Sequence, residues 1–412
     1  MIVKILFFLI IFFVVADFVL ERYLTYLNIQ YSKQELPEIL QGIYDEEKYK
    51  KQQEYFRTNT RFSMLTSTLS FVIILLMLIF GGFGWLDNLL RKITEHQILL
   101  PLLYFGVLFF ASEIINLPFE WYDTFVIEEK FGFNKVTPKL FIVDKIKEIL
   151  LSVIIGGGIL ATIIWIYTLT PNYFWLWAWL VVTFFSLIMN MFYSEIIVPL
   201  FNKQTPLPEG ELRAEIEKFA SKAGFKLSNI YVIDSSKRST KANAYFSGLG
   251  NKKRIVLFDT LLNKLTTEEI VAVLAHEIGH YKHRHTLYQF LISLPVNLLL
   301  FFLLGYILKS DIFAQVLGVA SASFHINVIV FSLLYAPLSL LLGIFSNILS
   351  RKFEFQADAF AAQYGYATFL QSGLKKLSET SLSNLMPHPL YVFFHYSHPT
   401  LYQRLTKLVS YT

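Results

Sequence analysis

Cysteine is absent from all 412 residues, which excludes disulfides, iron–sulfur clusters and cysteine-ligated zinc. Charge is scarce too. Asp, Glu, Lys and Arg make up 16% of the chain, against about 25% in water-soluble domains. The net charge of +5 is mild and reads as basic loops beside a membrane, with no nucleic acid as partner. No Walker-type glycine-rich loop occurs, so no nucleotide is expected. Internal repeats and low-complexity segments are also missing. What abounds is apolar: 54% of the residues are hydrophobic and 40 are Phe. One aqueous core does not hide that much apolar surface, so a lipid bilayer is the expected solvent.

Seven apolar stretches are long enough to cross roughly 30 Å of hydrocarbon. They lie at 2–20, 63–83, 98–118, 149–170, 174–200, 288–308 and 326–349. The first resembles a signal peptide, but Lys4 is its only basic start and Val14–Val15–Ala16 is a poor cleavage site; it is expected to stay as a span. Lys and Arg divide sharply between the two sides. The N-terminus with loops 84–97, 171–173 and 309–325 carries 4, and the other loops with the tail carry 32. The basic side is expected to be cytoplasmic, leaving the N-terminus outside and the C-terminus inside. The expected organisation is five spans with their loops (1–200), a cytoplasmic part (201–287), two more spans (288–349) and a cytoplasmic C-terminal part (350–412). The fold class is thus an all-α multi-pass membrane protein with a small β-sheet. Ile230–Ile233 and Ile255–Phe258 read as its strands, and Glu209 to Ala223 as a helix.

One segment carries chemistry: Ala275–His276–Glu277–Ile278–Gly279–His280. Thr266 with Glu269 three residues on is a capping box, and Ile270, Val271, Val273, Leu274 and Ile278 supply an apolar face. His276 and His280, one turn apart on that helix, aim two imidazoles at one metal ion. Glu277 stands beside them as a base for water. His283 and His285 read as interfacial residues in a basic run. A catalytic zinc takes a third protein ligand, which here is His, Asp or Glu. The best-placed candidate is Glu354, just after the seventh span. Asp358, one turn further, would accept a hydrogen bond from a ligand imidazole. A charged helix face at the membrane surface is the plainer reading of that pair.

With these residues in view, the chain resembles the type I CAAX prenyl endopeptidases, integral-membrane zinc proteases. The resemblance runs through Thr124–Phe125–Val126–Ile127–Glu128–Glu129–Lys130–Phe131–Gly132–Phe133–Asn134–Lys135, Thr205–Gly210, Asn243–Ala244–Tyr245–Phe246, Ile255–Thr260, the Phe353–Ala361 segment and Ser397–His398–Pro399–Thr400. It implies seven helices forming a barrel around a water-filled chamber, closed by the zinc domain on the cytoplasmic side. It implies one zinc ion per chain on His276, His280 and Glu354, and a peptide or protein substrate, prenylated in the family's named case. Asn243 would line the cleft and fix the substrate backbone, and His398 would face Glu277 and stabilise the oxyanion. Asp358 matches a position often given a proton-donor role, although orienting a ligand histidine is physically simpler. Arg404 would pair with a carboxylate. Glu113, Asn116, Glu120, Asn190, Ser194, Glu195, Asn297 and Asn327, polar residues within the spans, would face the chamber. The missing cysteines and compact loops point to a bacterial inner membrane. Two other readings compete: a membrane quality-control peptidase without lipid preference, and a non-enzymatic carrier or channel.

Overall fold

The protein is described here from a computed structural model, which covers residues 1–225, 229–247 and 254–412. From the N-terminus, α1 (Ile2–Tyr31) and α2 (Glu46–Ile79) pair, and the short α3 (Gly82–Arg91) leads into α4 (Leu99–Phe131), α5 (Pro138–Leu169) and α6 (Phe174–Phe201). The soluble part then holds β1 (Gln204–Pro206), α7 (Glu211–Lys222), β2 (Asn229–Ile233), β3 (Ala244–Ser247), β4 (Arg254–Phe258) and α8 (Thr267–Lys282). The chain re-enters through α9 (His285–Leu308), turns at α10 (Asp311–Val316) and returns as α11 (Phe324–Gln363). It closes with α12 (Ala367–Thr380), α13 (Pro389–His395) and α14 (Leu401–Val409).

Seven of these helices are long and apolar enough to span a membrane, and they match the seven apolar stretches. They run further than the apolar residues do. α11 continues for 40 residues, because nothing after the hydrocarbon stretch breaks a helix until Gly365, whose φ is +86. Glu354 and Asp358 therefore stand on the same rigid rod as the seventh span, not on a separate C-terminal element. The helices close into a ring: α4 packs on α5, α5 on α6, α6 on α9, α9 on α11, α11 on α1 and α1 on α2. The last gap is bridged by α3 and by Phe62 of α2 against Phe119 and Tyr122 of α4. A cavity of about 580 Å³ opens between α1, α2 and α11, with Asp17, Arg22, Ser63 and Ser67 beside Phe18 and Phe71 in its wall.

One end of the ring is sealed by α3 and α10. Gly84 makes this possible, since a Cβ there would lie 2.4 Å from the Leu317 carbonyl oxygen. Buried Asp87 ties the seal together, accepting from Arg91 Nε at 2.8 Å and lying 2.6 Å from His325 Nε2. The other end carries the soluble part. Its sheet has the order β1-β2-β4-β3, with β2 and β4 parallel and the two outer pairs antiparallel. The two expected strands are β2 and β4; β1 and β3 were not legible beforehand. The sheet, α7, α8, α11 and α12 share one core built around Ile216, Ile255, Leu257, Leu274 and Ala361.

Of the polar residues expected at the chamber, Asn327 and Ser194 are buried among protein partners instead. Asn327 is fully buried and donates to the carbonyls of Ile307, Leu308 and Ser310, capping the end of α9. Ser194 is buried where α6 meets Gln204 and Tyr245, and Glu195 pairs with Arg254. Glu113 and Glu120 converge on Lys145 of α5, at 3.7 Å and 2.6 Å. Carbonyls left over at helix ends, and cations on neighbouring helices, meet these polar groups as well as a water-filled space would.

Candidate metal centre

Two helices build the site. α8 starts where Thr266 accepts from the Glu269 backbone and Glu269 returns the bond to the Thr266 backbone, the expected capping box. Glu269 is buried and also bonded by Ser372 and Lys376, so the start of α8 is anchored to α12. Further along, α8 lies against α11 and presents His276 and His280 to Glu354.

The three side chains converge. His276 Nε2 is 3.2 Å from His280 Nε2 and 3.5 Å from Glu354 Oε2, and His280 Nε2 is 3.2 Å from Glu354 Oε1. A tetrahedral site with bonds of about 2.0–2.1 Å has ligand-to-ligand edges of about 3.3 Å, so these spacings fit an ion between them. Glu354 Oε2 is buried with no hydrogen bond of good geometry, although His398 Nδ1 lies 2.9 Å from it, and a buried carboxylate oxygen so placed suits a cation. The donor set of two imidazoles and one carboxylate fits a metal ion.

Around this set, each partner has its own support. Asp358 is fully buried and its Oδ1 lies 2.8 Å from His276 Nδ1, placed to accept a hydrogen bond from it. Arg404 of α14 grips Asp358 from behind, Nε to Oδ2 at 2.9 Å and Nη2 to Oδ1 at 2.6 Å; the expected pairing of Arg404 is with this carboxylate. Burial and the Arg404 charge lower the proton affinity of His276, but its bonds to Asp358 and Glu354 outweigh both and raise its pKa to about 9.

A cavity of about 790 Å³ opens onto the three residues, with Glu277, Asn243, His398 and Arg404 in its wall. Glu277 is half-buried there. His398 is largely exposed, with Nδ1 2.9 Å from Glu354 Oε2. Asn243 stands at the start of β3, the edge strand of the sheet. That strand is held in place from the membrane side: Lys241 pairs with Glu128 at 2.7 Å, and the Thr240 N–H donates to the Phe133 carbonyl. The Glu128–Lys135 segment thus has a physical task, to anchor the cleft edge to α4.

His285 departs from the interfacial reading. It is buried, with Nδ1 2.9 Å from His280 Nδ1 and Nε2 2.8 Å from Gln356 Oε1. The turn between α8 and α9 folds it back toward the site instead of leaving it in the basic run. Its partner Gln356 was not anticipated. The signal for His285 was its place five residues after His280; for Gln356, its place between Glu354 and Asp358. His283 is exposed, as the interfacial reading has it.

A ring of membrane helices carrying a half-buried glutamate beside two histidines and a carboxylate defines an integral-membrane metallopeptidase. Comparison with known proteins agrees over nearly the whole chain. Residues 25–203 match a family described as CAAX prenyl protease N-terminal, five membrane helices, and residues 206–412 match peptidase family M48. The CAAX prenyl protease 1 homolog of Arabidopsis thaliana is 39% identical over 406 residues, covering 95% of each chain. CAAX prenyl protease 1 of Saccharomyces cerevisiae is 38% identical, covering 96% of this chain and 93% of its own. The crystal structure of S. mikatae Ste24p superposes with a TM-score of 0.92 at 36% identity, covering 98% of this chain and 99% of that one. The chain belongs to the CAAX prenyl protease 1 family of M48 metallopeptidases, and it is a multi-pass membrane metalloendopeptidase acting on peptide or protein substrates.

Proposed function

We propose that the metal is one zinc ion per chain, held by His276, His280 and Glu354, and that substrates are peptides with a prenylated cysteine near the C-terminus. The observation that carries the metal reading is the triangle of ligand atoms with tetrahedral edge lengths. Zinc there supplies Lewis acidity, which polarises a carbonyl and acidifies water. Glu277 takes the proton of the attacking water and delivers it to the leaving amine. His398 donates to the developing oxyanion. Asn243 and the β3 edge hold the extended substrate backbone. Asp358, kept in place by Arg404, fixes the tautomer of His276 and so acts as an orienting group. The substrate reading rests on the name the relatives carry and on seven helices able to span a bilayer, which would accept the lipid tail.

On the positive-inside pattern, we place the N-terminus outside and the metal centre in the cytoplasm. Metal analysis tests the ligand set: His276→Ala and Glu354→Ala lose zinc and cleavage together, and full occupancy in Glu354→Ala removes Glu354 from the set. Matched peptides with and without the prenyl group test the substrate. Equal cleavage of both would make this a membrane peptidase without lipid preference.

A further inference from the structure

His285 opens α9 immediately after Arg284, whose φ of 56° lies in the left-handed region. That conformation is unfavourable for a non-glycine residue, and such strain persists only where the surroundings hold it. Here the turn brings His285 back under the metal helix. Its ring is 3% exposed and lies 4.1 Å from the Phe353 ring, nearly parallel at 9°. One ring nitrogen faces His280 and the other faces Gln356.

We propose that His285 and Gln356 form a neutral relay that fixes the tautomer and orientation of His280 for metal binding. The inference rests on His276, His280 and Glu354 being the ligands. A ligand nitrogen must offer its lone pair, so the proton of neutral His280 sits on Nδ1. Nδ1 is 2.9 Å from His285 Nδ1, which must accept and is therefore bare. The proton of His285 is then on Nε2, where it donates to Gln356 Oε1 at 2.8 Å. Every proton in the chain is assigned by its neighbour. Gln356 lies two residues from Glu354, on another side of α11, and it touches His285, which in turn touches His280. The two histidines are thus held differently. His276 donates to the carboxylate of Asp358 and His280 to a neutral imidazole, so α11 supplies one ligand and orients both others.

The relay makes His285 and Gln356 positioning residues, and two substitutions separate that role from packing. His285→Phe keeps the ring against Phe353 and removes the acceptor. His285→Asn places an acceptor near the Nδ1 position and removes the ring. Zinc affinity is read by chelator competition on the purified full-length protein, alongside the visible spectrum of its cobalt(II)-substituted form. Loss of such an orienting partner lowers metal affinity by about 10–100-fold. His285→Phe is expected to lose that much and to shift the cobalt spectrum, while His285→Asn stays close to wild type. Gln356→Leu, which contacts neither ligand, loses affinity in the same direction by less. Wild-type affinity in His285→Phe, or equal losses in the Phe and Asn variants, overturns the relay. Equal zinc binding by wild type and Glu354→Ala would instead overturn the ligand set, and the relay with it.

Discussion

Gly279 of α8 rests directly on Ala357 of α11: a Cβ at position 279 would lie 3.0 Å from the Ala357 Cα and 3.2 Å from its carbonyl oxygen. Gly279 adjoins His280, and Ala357 falls between Glu354 and Asp358. The separation of the two helices at this contact sets the spacing of the ligand atoms.

Gly279→Ala therefore pushes the helices apart by a few tenths of an ångström without touching a ligand. Overpacking of this kind costs about 1–3 kcal/mol. The expected outcome is a lower melting temperature together with weaker zinc binding, checked by thermal unfolding in detergent and chelator competition. Wild-type values for both would show that this contact does not limit the site.

Much of this site was legible because its signals are local. The histidine pair, the neighbouring glutamate and the capping box all lie within one helix, and the spans announce themselves by continuous apolar length. Contacts between distant elements carried no such signal. β1 and β3 are three and four residues long, too short for an alternation to register. Asn327 within a span gives no sign in sequence that three carbonyls at the end of α9 will satisfy it. His285 reads as one more member of a basic run until the Arg284 turn folds it inward.

The Glu269 anchor makes a prediction about pH. Burial alone would raise its pKa, but bonds from Lys376, Ser372 and the Thr266 N–H outweigh burial and hold it below the ordinary 4.5. A carboxylate with a depressed folded pKa stabilises the protein above its unfolded value, and the benefit is lost as pH falls through the folded one. Glu269→Gln is expected to lower stability by about 1–3 kcal/mol at neutral pH. The gap from wild type should close as pH drops below about 4.5. A gap that does not change with pH in denaturant titrations would contradict the charged form of this anchor.

Topology is open to a direct test because the chain has no cysteine to mask. Asn172 and Lys309 are hydrogen-bonded at 2.9 Å, so the loop before α6 and the loop after α9 share one face of the membrane. A single cysteine at 172 should react with an impermeant maleimide from outside intact cells, and one at 34 only after permeabilisation. The reverse pattern would invert the orientation.

The central claim is that Glu277 performs the proton transfers at a zinc centre built by α8 and α11. Its most direct test is Glu277→Gln, assayed at once for bound zinc and for peptide cleavage. The account predicts one zinc per chain and a cleavage rate lower by about 10²–10⁴-fold or more. Near-normal turnover with zinc in place would contradict it.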